Sequence, residues 1–102
     1  MIHVLATIRL AKGKRAEWLV IFKANMPAVH AEAGCIEYQP AMDVPTGLTA
    51  QSAVDDDEVV VIEKWESLDH LKAHSAAPHM ASYREKVKGL VTGMTLRILE
   101  PG

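Results

Sequence analysis

The spacing of apolar residues along this chain changes from every second position to every third or fourth position and back, twice over. The stretch "IHVLATIRL" alternates and is rich in β-branched residues, which predicts a strand at Ile2–Leu10. The apolar side of this strand consists of Ile2, Val4, Ala6, Ile8 and Leu10. The opposite side, with His3 and Arg9 at its two ends, is mixed and is a candidate pocket wall.

A change to helical spacing follows Gly13 and predicts a helix from about Arg15 to Ala33. Its apolar stripe consists of Trp18, Phe22, Met26 and Val29. Pro27 lies inside this stretch and is expected to kink or interrupt the helix, because proline has no backbone N–H. Gly34 is expected to stop the helix as its C′ residue.

The middle of the chain predicts two strands joined by a long loop. "CIEYQPAM" predicts a strand at Cys35–Met42 in which Ile36 and Tyr38 share a face. "VVVIEKW" predicts a strand at Val59–Trp65 that is apolar enough near its start to be buried on both faces. The loop from Ala41 to Asp57 is a candidate lid, dimer arm or disordered tip, and its Pro, Gly and Asp content favours the disordered tip.

The last third predicts a helix and a closing strand. Ser67 is a helix cap, with Leu68 and Leu71 as the first inward residues. Pro78 is expected to restart or bend this helix. The apolar stripe of its continuation consists of Met80, Tyr83, Val87 and Leu90. "GMTLRILEPG" predicts the last strand, which ends at Pro101.

The resulting order, β-α-β-β-α-β, predicts an α+β fold in one domain spanning residues 1–102. It is the order of the ferredoxin-like fold, in which an antiparallel sheet carries both helices on one face. The other face of the sheet also has apolar residues and needs a cover. A second copy of the sheet is the simplest cover, so we expect a homodimer through sheet-to-sheet packing.

The composition indicates which classes of binding partner and which cellular compartment to expect. The net charge is −2 and Lys and Arg are scattered singly, which argues against a nucleic-acid partner. No apolar run is long enough to cross a bilayer, so no membrane partner is expected, and "MIHVLATIRLAKGKR" does not resemble a secretory signal peptide. Cys35 is the only cysteine, so the chain cannot form an internal disulfide, which fits a reducing, cytoplasmic location.

Polar residues with useful chemistry gather around the third strand and the helix that follows it. Glu63 and Trp65 point to the same side of the strand. His74 lies on the border of the apolar helix face, and His79 precedes Tyr83 by one helical turn. A small-molecule cavity is therefore expected to be lined by Trp65, His74, His79 and Tyr83, and closed by Tyr38 or the polar side of the first strand.

The same residues have structural interpretations. Trp65, Tyr83 and Tyr38 are typical of a packed core, His74 of a helix boundary, and His79 of a cap on the restarted helix.

Glu63 is harder to explain, because a buried carboxylate needs a partner; a Lys, an Arg or a backbone donor is expected. Cys35 is interpreted as a small buried residue. His70 and His74 are spaced for a shared metal ion, but no third ligand or metal motif accompanies them, so no metal is expected.

Two stretches, "EAGCIEYQ" and "VVVIEKWESLDHLKAHSAAPH", followed by an amphipathic helix, resemble the antibiotic biosynthesis monooxygenase (ABM) family. The resemblance spans nearly the whole chain. It implies a quinol-monooxygenase-like dimeric α+β barrel that oxidises an aromatic phenol or quinol with O₂. It also implies that no flavin, haem or metal cofactor takes part.

Roles for single residues follow from this resemblance. His74 is the first choice for the base that deprotonates the substrate, and Trp65 is expected to stack on the ring or to wall the pocket. His79 and Tyr83 would orient the substrate or hydrogen-bond to it, and Tyr38 and Glu63 would complete the binding site. Arg84 or Arg97 would stabilise the substrate anion.

Other activities on the same fold stay open. Haem-degrading relatives are similar in fold but carry an Asn on the first strand, where this chain has Ala6 and Thr7. An isomerase that acts on a small molecule would also suit the histidine pair. A non-catalytic ligand-binding dimer is the third alternative.

Overall fold

A computed structural model describes residues 1–102. In chain order the elements are β1 (Ile2–Leu10), α1 (Arg15–His30), β2 (Cys35–Ala41), β3 (Glu58–Trp65), α2 (Leu68–Ala76), α3 (Pro78–Val87) and β4 (Val91–Leu99). The four strands form one sheet in the order β2-β3-β1-β4, and every neighbouring pair is antiparallel. The α+β class and the ferredoxin-like order are confirmed. None of the helices is both long enough and apolar enough to span a membrane.

The two central strands bury every second residue. β1 pairs with β3 so that Val4 lies opposite Glu63, Ala6 opposite Val61 and Ile8 opposite Val59. All six residues are buried on the side that carries the helices. The intervening residues of both strands are only half-buried, because no element of the chain covers the second face. The expectation that β3 is buried on both faces is therefore wrong for the single chain.

α1 packs on the sheet through Trp18, Phe22 and Val29, which are all buried. The helix ends at His30, three residues earlier than predicted, and it continues through Pro27 without interruption. Pro27 lies within the last turn of the helix, so few helical bonds follow the one that its missing N–H removes, and its own carbonyl accepts from the Ala31 N–H at 3.1 Å.

Gly34 does not cap α1, because it lies beyond the C-cap at Ala31. It closes the turn into β2 with a φ of 80°, which glycine adopts without strain. The His70 ring occupies the space where a Cβ would stand. This glycine therefore allows α2 to approach the turn closely.

α2 and α3 meet at the predicted proline. The Ser67 Oγ accepts from the His70 backbone N–H at 3.3 Å, which confirms the cap. α2 ends at Ala76 and α3 starts at Pro78, where a missing N–H costs nothing. Leu71 is buried as expected, whereas Leu68 is 44% exposed because it lies at the rim of the helix layer.

A bulge at the start of β2 corrects a second prediction. Cys35 pairs with Trp65 and Glu37 with Lys64, so the strand holds one extra residue at Ile36. Ile36 is consequently half-exposed and does not share the buried face of Tyr38.

Residues 42–57, which we call the arm, connect β2 to β3 and have their own hydrogen bonds. The Gln51 side chain accepts from the Thr46 hydroxyl at 2.6 Å and donates to the Val44 carbonyl at 2.7 Å. The Asp43 carboxylate accepts from the Asp55 backbone N–H at 2.9 Å. These bonds define a conformation for the arm, which corrects the expectation of a disordered tip.

Candidate active site

A cavity of about 540 Å³ lies between the sheet and the pair formed by α2 and α3. Its floor is the buried face of β1 and β3, not the polar side of β1 as one expectation had it. The cavity opens at β4, where Met94, Leu96 and Ile98 line it and are each about half-exposed. Its size and its predominantly apolar lining are typical of a site for a small organic molecule.

His74 is the buried polar residue of α2 that faces this cavity. Its Nδ1 lies 2.8 Å from Oε2 of Glu32. Because a carboxylate only accepts, Nδ1 carries the proton in this pair, and in the neutral form of the imidazole Nε2 then holds the lone pair. No group of the chain hydrogen-bonds to Nε2. His74 thus has the tautomer and the free nitrogen that a general base requires.

Aromatic rings hold the His74 imidazole from two sides. The Trp65 ring lies 4.7 Å away between centroids, and the Tyr38 ring meets it edge-on at 5.4 Å. Trp65 is fully buried and does not line the cavity, since α2 covers the end of β3. The expectation that Trp65 walls the pocket or stacks on a substrate is therefore wrong. Its place is behind His74, where it supports the ring.

Glu63 lines the cavity and is 6% exposed. Its Oε1 accepts a hydrogen bond of 2.9 Å from the Trp65 indole N–H. The partner is thus an indole, and not the Lys, Arg or backbone donor that the sequence led us to expect. Burial raises the pKa of Glu63, while the Trp65 N–H and the nearby His74 act in the opposite direction.

The raised pKa of Glu63 predicts how the free energy of unfolding depends on pH. In the folded protein Glu63 keeps its proton up to a higher pH than in the unfolded chain. Its contribution to the free energy of unfolding is therefore complete below the ordinary pKa of glutamate, and it is lost as pH rises through the raised pKa of the folded state. A Glu63→Gln variant should therefore gain stability relative to wild type as pH rises from acid to neutral. Urea titrations of both proteins across that range measure the difference, and a constant difference would contradict the assignment.

Tyr38 and Tyr83 both line the cavity. Phe22 stacks on Tyr38 at 5.1 Å and meets Tyr83 edge-on at 6.0 Å, which joins the three rings into one wall. Burial raises the pKa of Tyr38 above its usual value and raises the pKa of Tyr83 to about 12. Both phenols are therefore protonated at neutral pH and available as hydrogen-bond donors.

His79 does not line this cavity. It lies in a separate groove of about 350 Å³ between α1 and α3, with Asn25 beside it. Its Nδ1 is 3.3 Å from the Asn25 side-chain nitrogen, and its Nε2 is 3.5 Å from the same Glu32 oxygen that holds His74. The structure therefore places His79 outside the cavity that it was expected to line. His79 faces α1 across this groove, and its link to His74 runs through Glu32.

The structure separates the two arginines that the sequence left open. Arg84 lies at the edge of the cavity, where it donates to the Ser75 carbonyl at 2.7 Å, and Lys72 and Lys88 lie beside it. Arg97 pairs with Leu5 and so belongs to the opposite face of the sheet. Arg84 is accordingly the guanidinium placed to meet an anion in the cavity.

Glu32 is the functional candidate that sequence reasoning missed. It follows α1 in the turn before Gly34 and is 42 residues away from His74 in the chain. A carboxylate just past a helix C-terminus is unfavourable next to the negative end of the helix dipole. That conflict was the available signal that Glu32 serves another purpose.

Comparison with known proteins identifies the family of the chain. The family model described as Antibiotic biosynthesis monooxygenase matches residues 1–86, most of the chain. The chain belongs to the antibiotic biosynthesis monooxygenase family. The probable quinol monooxygenase YgiN of Escherichia coli K12 is 43% identical to this chain over 104 positions, which cover 100% of this chain and 99% of YgiN.

Solved structures show the same fold. PA3566 from Pseudomonas aeruginosa superposes with a TM-score of 0.80 at 22% identity, over 98% of this chain and 92% of that one. Rv0793 from Mycobacterium tuberculosis gives a TM-score of 0.79 at 25% identity, over 98% and 93%. The ABM match ends before β4, so the strand at the open side of the cavity lies outside it.

Proposed function

We propose that this ABM protein is a cofactor-independent monooxygenase that oxidises an aromatic phenol or quinol with O₂. The observation that carries the proposal is His74, a buried imidazole fixed by Glu32 with a free Nε2 at the wall of an apolar cavity. Membership of the ABM family supports a monooxygenase. The name of YgiN, a probable quinol monooxygenase, supports a quinol as the substrate class.

The cavity favours a flat, mostly apolar ring. The wall formed by Phe22, Tyr38 and Tyr83 offers aromatic faces for stacking. The two tyrosine hydroxyls provide hydrogen bonds that orient a hydroxylated ring. Arg84 at the edge places a positive charge near the oxygen that becomes negative.

His74 starts the reaction by taking the proton of a substrate hydroxyl on Nε2. The O–H bond breaks, an N–H bond forms, and the substrate is left as an electron-rich phenolate. Glu32 holds the ring through Nδ1 during this step, which fixes the orientation of the imidazole. The apolar lining keeps water away from the side of the phenolate that faces the protein core.

The phenolate then supplies the electrons that O₂ needs. One oxygen atom enters the ring as a new carbon–oxygen bond, and the other leaves as water. The ring loses four electrons in total and O₂ gains four, so no external reductant is required. The product is a quinone from a phenol, or a hydroxyquinone from a quinol.

We also propose that the protein acts as a homodimer through the second face of its sheet. That face is only half-buried in the single chain and includes Leu5, Val60 and Ile62. β4 is exposed on both faces from Met94 to Leu99, which is unusual for a strand rich in large apolar residues. A monomer mass that does not change with concentration in sedimentation would contradict this dimer.

Oxygen uptake with a panel of hydroquinones and polycyclic phenols tests the proposed reaction. With metal-free protein we expect one O₂ consumed per substrate, and one atom of isotopically heavy oxygen in the product. The same reaction under argon should give no product. Conversion under argon would indicate an isomerase, and binding without conversion in air would indicate a ligand-binding protein.

A further inference from the structure

The cavity is incomplete at β4. Met94, Leu96 and Ile98 form its outer wall, yet they are 54%, 50% and 50% exposed. They pair with Ile8, Ala6 and Val4 of β1, so they continue the buried floor beyond the edge of the helix layer. An apolar molecule bound against this wall would leave one side exposed to water, which weakens its binding.

The arm exposes apolar side chains on a defined scaffold. Val44 is 67% exposed and Leu48 is 70% exposed. The bonds between Thr46 and Gln51 fix the backbone on both sides of Leu48. An exposed leucine on a loop with fixed internal bonds loses little conformational entropy when it docks, so this part of the arm suits a binding surface.

The arm of one chain is badly placed to cover the cavity of the same chain. It joins β2 and β3, whereas β4 lies at the opposite edge of the sheet, with β1 between β3 and β4. Strand spacing puts β4 about 10 Å beyond β3 and about 14 Å beyond β2. The occupant of the open side must therefore come from elsewhere.

Two-fold geometry offers the arm of a second copy. If two sheets pack face to face about an axis parallel to their strands, the β2 edge of one subunit lies beside the β4 edge of the other. A two-fold axis parallel to the strands also leaves the position along the strand direction unchanged, so the same strand end lies at the same level in both subunits. The Leu10 N–H bonds to the Asp57 carbonyl where the arm rejoins the sheet, and Leu10 also pairs with Val91. The partner's arm is thus level with the start of β4.

Charge is complementary between the two surfaces. The arm carries Asp43, Asp55 and Asp56, which are all exposed. The rim of the cavity carries Lys72, Arg84 and Lys88, which are also exposed. Opposite charges around an apolar contact favour this pairing over the approach of two arms or two rims.

We propose that the arm of each subunit closes the cavity of its partner, with Leu48 and Val44 packed against Met94 and Leu96. This inference rests on the proposed dimer, but not on the proposed oxidation. Each active site then contains side chains from both subunits. The cavity lies inside one chain, and the cover that keeps it dry comes from the other.

Disulfide trapping tests the contact directly. In a Cys35→Ser background, one preparation carries Leu48→Cys and a second carries Met94→Cys. After the two are mixed, allowed to exchange subunits and mildly oxidised, we expect a covalent dimer that contains one chain of each kind. In the control mixture, Val20→Cys replaces Leu48→Cys. Val20 lies on α1 and is as exposed as Leu48, and this mixture should give little covalent dimer. A dimer by mass that traps no better than this control would overturn the proposal.

A second measurement is independent of both trapping and oxidation. Leu48→Asp should leave the dimer mass intact but uncover the cavity, so the fluorescent apolar dye anilinonaphthalene sulfonate should bind more strongly than to wild type. Val20→Asp should not change dye binding. If dye binding stays at the wild-type level in Leu48→Asp, the arm does not cover the cavity. If both variants oxidise no substrate but differ in dye binding, the arm is supported and the proposed reaction is not.

Discussion

Replacement of His74 by alanine is expected to lower kcat for phenol or quinol oxidation by about 10²–10⁴-fold, the usual contribution of a general base. The reason is that Nε2 of His74 is the free nitrogen at the cavity wall, held in place by Glu32. KM should change little, because the aromatic wall that binds the ring is untouched. Oxygen uptake at saturating substrate measures the effect, with circular dichroism to confirm folding.

His70→Ala is the matched control for this experiment. His70 lies on the same helix, four residues earlier, and its ring bonds to Ser67 outside the cavity. It should retain wild-type kcat. The kcat of Glu32→Gln should lie between those of wild type and His74→Ala, because a glutamine oxygen still accepts a hydrogen bond from Nδ1 but carries no charge. Wild-type kcat in His74→Ala would remove His74 from the chemistry without removing the oxygenase.

Replacement of Trp65 by alanine is expected to lower the free energy of unfolding by about 3–5 kcal/mol, as for other large buried aromatic residues. Trp65 is fully buried, so its loss leaves a cavity between β3 and α2. It also leaves the buried Glu63 carboxylate without its indole donor. Urea denaturation followed by circular dichroism measures the change.

A pair of conservative variants separates the two causes. Trp65→Phe keeps most of the ring but removes the N–H that Glu63 accepts from. Trp18 is equally buried, and its N–H lies near Tyr83 without completing a hydrogen bond. Trp65→Phe should therefore cost about 1–3 kcal/mol more than Trp18→Phe, the cost of an unsatisfied buried group. Equal costs would show that the Trp65–Glu63 bond contributes nothing measurable.

Much of the fold could be predicted from the sequence because it depends on local patterns. Alternation along β1 placed Val4 and Ala6 in the core, and the helical period did the same for Trp18 and Phe22. Ser67 and Pro78 marked helix starts through their backbone chemistry alone. The failures at Pro27 and Ile36 concern the last turn of a helix and a bulge, where pairing in three dimensions decides.

The candidate site was predictable only in part. The sequence placed His74, Tyr38, Tyr83 and Glu63 on inward faces, and all four line the cavity. It could not show that Trp65 lies beneath His74. The alternation along a strand predicts on which side of the sheet a side chain lies, but not which other residues cover it.

The pairing of His74 with Glu32 could not be predicted from the sequence either, because it joins residues far apart in the chain. His79 was misplaced because its angle on α3 could be set only once α1 was in position. Contacts between elements, unlike patterns within them, require the assembled fold.

The position of β4 affects how readily such a protein acquires new substrates. Ile98 touches the cavity but contributes nothing to the buried core of its own subunit, and it lies outside the contact proposed for the partner's arm. Substitutions at half-exposed positions of this kind usually change stability by less than about 0.5 kcal/mol. The shape of the binding site can therefore diverge by mutation in β4, while His74 and the folded framework stay intact.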